Sequence, residues 1–221
     1  MPAVRRTGAP QPQVVALVAL TFGSGATDAV AFLGMGGVFT ANQTGNLVLV
    51  GLVGREDYGA TALRAVVAAA AFALALYAGF RLTRGPRAAG SAPRLLLAAV
   101  PLHLLVLAGW LLADAEPSSG PILGLLAVSA MAMGLQTVAA RRMTSAFGIS
   151  TTFVTGTLTA IFQGVAEGRG EGNGVRSAVV VALVLGALCG AGLLELAPLA
   201  APAIAPLAVA GAIAVVRAGT D

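Results

Sequence analysis

The stretch Thr40-Ala41-Asn42-Gln43-Thr44-Gly45-Asn46 places five polar side chains within seven residues, with apolar sequence on both sides. Hydroxyls and amides at this density can bind a small polar solute or an ion. If the stretch is helical, Thr40 and Thr44 share one face and Asn42 and Asn46 another. Polar groups left unpaired in an apolar medium are costly, so these must face protein or a water-filled cavity. Ser150 to Thr157 (STTFVTGT) repeats the character of this stretch in the second half of the chain. Helix ends at two such segments would offer free N–H or C=O groups to a ligand. The structural alternative is that the same hydroxyls and amides only bond neighbouring helices together.

Asp28 is the one acidic residue well inside a long apolar run. A carboxylate at such a place costs about 2.5–3.5 kcal/mol on insertion scales and is by default a functional candidate, for proton or cation coupling or as a counter-ion. Its structural alternative is an interhelical hydrogen bond to Thr40 or Asn42. Gln136 is a comparable polar intrusion in the second half. His103, the single histidine, reads as a hydrogen-bonded core residue, because one histidine cannot form a metal cluster. Cys189 reads as a small packing residue. Ser24 sits between two glycines, but no strand precedes it and no basic partner is evident, so it is not a nucleophile elbow. These residues form no recognisable catalytic set, metal site, phosphate loop or nucleic-acid module. The expectation is a non-enzyme without cofactor.

The elements around these residues follow from composition. Hydrophobic residues make up 57% of the 221 and charged residues 10%, and mean hydropathy is +0.90. A soluble domain carries about 25% charged residues; a surface this poor in charge is stable against lipid. A spanning helix needs about 20 apolar residues. Six runs qualify: Gln13–Gly34, Thr61–Leu82, Leu95–Leu112, Ile122–Ala140, Ser177–Leu194 and Pro198–Val216. Val38–Val53 and Ser150–Val165 are shorter and more polar. Most of the 29 glycines serve close helix packing on this reading. Arg5 and Arg6 before the first run resemble a signal peptide, but without a convincing cleavage site the run is read as a retained helix.

The chain also matches itself at a shift of 111 residues. Gly37 falls on Gly148, Thr40 on Thr151, Thr44 on Thr155, Gly45 on Gly156 and Leu47 on Leu158; Gly23 meets Gly134 and Gly79 meets Gly190. The pattern T-x-x-x-T-G-x-L at both Thr40 and Thr151 carries the most weight. Asp28 falls on Ala139, so the site is asymmetric. Three crossings per half make inverted repeats, as in many secondary transporters; four make parallel ones. The arginines choose between them. With the N-terminus inside and neither short segment crossing, the loop bearing Arg81, Arg84, Arg87 and Arg94 is cytoplasmic, as are Arg141, Arg142, Arg169, Arg176 and Arg217. That distribution obeys the positive-inside rule, and it explains a pI of about 10.6 without nucleic acid. Trp110 then belongs at the outer interface.

The run from Gly25 to Gly51, GATDAVAFLGMGGVFTANQTGNLVLVG, resembles the signature of the YoaK-like family of bacterial membrane proteins. GLQTVAARR from Gly134 to Arg142 and TTFVTGTLT from Thr151 to Thr159 fit it as well. The resemblance covers nearly the whole chain and implies a six-helix bacterial inner-membrane protein. It brings no substrate or catalytic residue, since the family is a domain of unknown function.

The resulting expectation is an all-α polytopic membrane protein with six spanning helices in two inverted repeats. A cytoplasmic tail covers residues 1–12. The first repeat runs over 13–112 with short segment 38–53, the second over 121–217 with short segment 150–165. Function is read as a small secondary transporter or permease, with a structural or assembly protein as the alternative and an intramembrane enzyme behind it. The candidate binding residues are Asp28, Thr40, Asn42, Gln43, Thr44, Gly45, Asn46, Gln136, Thr151, Thr155 and Gly156. Expected partners are the lipid bilayer and a small molecule or ion, with room for a homo-oligomer.

Overall fold

Alanine, leucine and valine fill the long runs, and in the computed structural model those runs are helices. The structure describes residues 11–85, 88, 90–117, 119–144 and 154–219. Eight α-helices follow in order: α1 Pro12–Gly34, α2 Gln43–Gly51, α3 Tyr58–Leu82, α4 Ala92–Leu112, α5 Ser119–Thr144, α6 Val154–Ala166, α7 Asn173–Leu196 and α8 Ile204–Ala218, with a 3₁₀ stretch at Pro198–Ala203 before α8. Six helical spans are long and apolar enough to cross a bilayer, the last joining the 3₁₀ stretch to α8. All six runs expected from sequence become these spans, lengthened at most ends by one to four residues. Pro12 and Pro93 sit in first turns, where a missing N–H costs nothing.

The spans α1 and α5 are 50% and 61% buried, against at most 33% for the other four, so they form the interior of the bundle. α1 packs along α7 and α8, whereas α5 packs along α3 and α4. The short helices lean outward on single neighbours, α2 on α3 and α6 on α7. The α1–α7 crossing is close enough to require glycine. A Cβ at Gly186 would land on the Phe22 carbonyl, and one at Gly25 on the Leu183 carbonyl. Small residues at a crossing let backbones meet and gain dispersion contacts that lipid cannot replace.

Trp110 lies in the last turn of α4 and is 1% exposed. Its indole N–H donates to the Pro198 carbonyl at 2.9 Å, so the 3₁₀ stretch covers it. Cys189 is exposed on α7 rather than packed.

Candidate functional site

The site is built on a hairpin that turns back into the bundle. α1 ends at Gly34, and Gly36 and Gly37 take φ of +91° and +79°, a left-handed region open to glycine. The chain then runs back beside α1, with the Phe39 ring stacked on Phe32 at 4.9 Å. It descends as far as Asp28, six residues or about 9 Å below the end of α1. There the carboxylate takes three successive backbone N–H groups. Oδ1 accepts from Thr40 at 2.9 Å and Ala41 at 2.7 Å, and Oδ2 accepts from Asn42 at 3.0 Å. α2 starts at Gln43, with the Asn42 side chain accepting from the Gly45 N–H at 3.2 Å. An acidic group at this end of a helix is favoured by the unsatisfied N–H groups and the helix dipole. α2 has nine residues, about 14 Å, too few to cross. The Arg64 guanidinium on the second turn of α3 reaches the Gly36 carbonyl at 3.4 Å, so α3 begins on the side where α1 ended. The segment therefore enters and leaves on one side.

This geometry corrects two expectations. Thr40 precedes α2, so it does not share a helix face with Thr44. Several N–H groups expected to be open to a ligand are already taken: Asp28 holds those of Thr40, Ala41 and Asn42 just before α2, and the Asn42 side chain holds that of Gly45 in its first turn. Three candidate residues build the hairpin instead. Asn46, fully buried, accepts from the Phe39 N–H at 2.9 Å and donates to the Phe39 carbonyl at 2.7 Å and to Gln43 at 2.8 Å. Gln43 in turn donates to the Thr40 carbonyl at 2.9 Å. The Thr40 hydroxyl, also fully buried, accepts from Ser129 of α5 at 3.2 Å.

The other candidates meet at a cavity of about 930 Å³ bounded by α1, α2, α5, α7 and the start of α6. Asp28, Asn42, Thr44, Gly45, Gln136 and Thr155 all line it. The N-terminal ends of both short helices thus reach one space. The lining from α7 runs from Leu183 to Ala191, in the middle of that span. Gln136 is buried and donates to the Leu20 carbonyl at 3.0 Å, tying α5 to α1. Asp28 is the one charged side chain among the described lining residues; hydroxyls and amides share the rest of the wall with apolar side chains such as Phe32, Val48 and Leu188. Gly156 is exposed beside Thr155 and does not line the cavity. Thr151 lies outside the described residues.

Sequence reasoning missed Thr21, Ser24 and Thr137, which also line the cavity. The signal was present: Thr21, Ser24 and Asp28 stand at i, i+3 and i+7, one face of a helix. Ser24, dismissed as a nucleophile, is a lining hydroxyl.

Six apolar spans, with a short helix folded back over a cavity that holds one carboxylate, define a multi-pass α-helical membrane protein. The chain belongs to the DUF1275 family, described as a protein of unknown function, whose model matches residues 16–216. It is similar to the UPF0700 transmembrane protein YoaK of Bacillus subtilis (strain 168), with 30% identity over 152 residues. That match covers 69% of this chain and 66% of the relative, just under two thirds of the relative's own length. No solved structure matches the chain. The family expected from the Gly25–Gly51 motif is the family found.

Proposed function

We propose that the chain is a small secondary transporter or permease, and not an enzyme, with the 930 Å³ cavity as its substrate site. One observation carries this reading: the starts of α2 and α6, from opposite halves of the chain, line the same mid-span cavity as Asp28. Discontinuous segments at matching positions in two halves, meeting at the midplane, are the architecture of many secondary transporters. The lining offers one carboxylate with hydroxyls and amides, a set suited to binding and passing a small polar solute or ion.

The proposal includes inverted repeats. α1 packs on α7 and α8 as α5 packs on α3 and α4, which is what a two-fold exchange of halves requires. Three crossings per half would then set the halves in opposite orientations. The arginine distribution supports cytoplasmic termini in a bacterial inner membrane. A purely structural role is favoured for Thr40, Gln43 and Asn46 alone, whose hydrogen bonds close the hairpin on itself.

A solute screen by thermal stability of the purified protein in lipid nanodiscs tests the reading. A ligand at 100 times its Kd stabilises by about 2.7 kcal/mol, or about 5–10 °C in a chain of this size. The shift should vanish in Thr44→Phe and shrink in Asp28→Asn. A solute whose shift survives both substitutions binds elsewhere, and the cavity is then not the substrate site.

A further inference from the structure

A second, much smaller cavity touches a different face of α1. It is lined by Thr27 of α1, His103 of α4 and Ser129 of α5, closed by Met35 and by Ala201 and Pro202 of the 3₁₀ stretch. It leaves about 10 Å³ for the centre of a water-sized sphere, room for one water and little else. His103 is 2% exposed; its ring donates from Nδ1 to the Gln136 side chain of α5, and its Nε2 has no hydrogen-bond partner among the described residues. Buried polar atoms are almost always paired, so such an atom facing a cavity needs an account.

The hydroxyl protons specify what fits. Thr27 donates to the Gly23 carbonyl at 2.7 Å, and Ser129 donates to the Thr40 hydroxyl at 3.2 Å. Both oxygens keep lone pairs and have no proton left to give. With Nδ1–H given to Gln136, Nε2 offers a lone pair as well, so the ligand must donate. Water does so with its two O–H groups, one to Nε2 and one to a hydroxyl oxygen, within the two to four hydrogen bonds of a buried water.

The repeat strengthens the case. At a shift of 111 residues Thr27 falls on Val138, Ser129 on Val18 and His103 on Ala214. All three polar liners break the pattern of the halves, and they break it at one cavity. We propose that this cavity is a binding site for a single structural water, which donates one O–H to His103 Nε2 and the other to the Thr27 and Ser129 hydroxyl oxygens. Through Ser129 and Thr40 that water joins α1, α4 and α5 to the hairpin tied down by Asp28. The inference does not depend on the large cavity carrying a solute.

The single histidine makes the test direct, because ¹⁵N-histidine labelling gives one imidazole signal. The full chain, purified through a histidine-free tag and placed in bilayers, is examined by solid-state NMR. The expected result is the Nδ1–H tautomer with a cross-peak between Nε2 and bound water, and loss of that cross-peak in Thr27→Val or Ser129→Ala. The wild-type spectrum alone decides if a variant fails to insert. An Nε2–H tautomer or a missing water cross-peak overturns the proposal, leaving a dry cavity. An imidazole shift that follows sodium concentration overturns it in favour of an ion at the Nε2 lone pair.

Discussion

The Asp28 carboxylate accepts the Ala41 N–H at 2.7 Å, across a gap of thirteen residues that contains the whole turn from α1 into the hairpin. Together with the bonds from Thr40 and Asn42, this contact fixes how far the hairpin descends. One residue therefore carries the charge of the cavity and anchors its wall. Asp28→Leu orphans the N–H groups of buried Thr40, half-buried Ala41 and exposed Asn42, and each unpaired group away from water costs about 1–3 kcal/mol. The expected loss is about 3 kcal/mol or more, a fall in Tm of about 6–12 °C in a chain this size. Asp28→Asn keeps one oxygen for two of the donors and should lose about 1–2 kcal/mol. Thermal unfolding in detergent measures both. A Leu variant as stable as wild type would mean that the carboxylate does not anchor the hairpin.

Asn46 tests the hairpin from the other side. Its side chain satisfies both backbone polar groups of Phe39 and binds Gln43. Asn46→Leu is close in size but leaves all of them unpaired inside the protein. A loss of about 2–4 kcal/mol is expected, with proteolysis between residues 35 and 57 becoming faster. Unchanged stability and unchanged proteolysis would place Phe39 and Gln43 on other partners.

Much of this was legible in the sequence, for physical reasons that also mark where legibility stopped. The spans follow from the need for about 20 apolar residues, a rule with few exceptions in lipid. Asp28 was conspicuous because hydrocarbon tolerates few charges. Its partners were harder to identify. The expectation named the residues Thr40 and Asn42, but the contact is to their backbone N–H groups, which every residue except proline owns. Helical spacing put Thr40 and Thr44 on one face, and the start of α2 at Gln43 removed Thr40 from that face. His103 illustrates the same limit: a buried, hydrogen-bonded histidine was readable from its apolar surroundings, and the unpaired Nε2 was not.

The topology that accompanies the proposed function makes a separate prediction. Ala88 lies between α3 and α4, and Glu116 between α4 and α5. In a Cys189→Ala background, Glu116→Cys should react with an impermeant maleimide in intact cells. Ala88→Cys should react only after the cells are opened. Labelling of Ala88→Cys from outside would reverse the assignment of cytoplasmic faces and leave the arginines without an explanation.

The α1–α7 crossing supplies the last prediction. Gly186 and Gly192 lie six residues apart on α7 and differ in what a methyl group would meet. At Gly186 an added Cβ falls on the Phe22 carbonyl oxygen and within 2.7 Å of its carbon, backbone atoms that cannot rotate away; at Gly192 nothing lies within 4 Å. Gly186→Ala should therefore force α1 and α7 apart. Overpacking of this kind costs about 1–3 kcal/mol, and a clash with backbone belongs at the upper end. Gly192→Ala should be neutral or slightly stabilising, since alanine is the better helix former by about 1 kcal/mol. The pair controls for helix propensity, because both substitutions gain it and only one meets the neighbouring helix. Separation of α1 from α7 would also widen the cavity that Gly25, Asp28 and Leu183 line, so Gly186→Ala should weaken any solute-induced rise in Tm while Gly192→Ala preserves it. Equal stability of the two variants would show that α1 and α7 do not cross at Phe22, and the cavity between them would have to be redrawn.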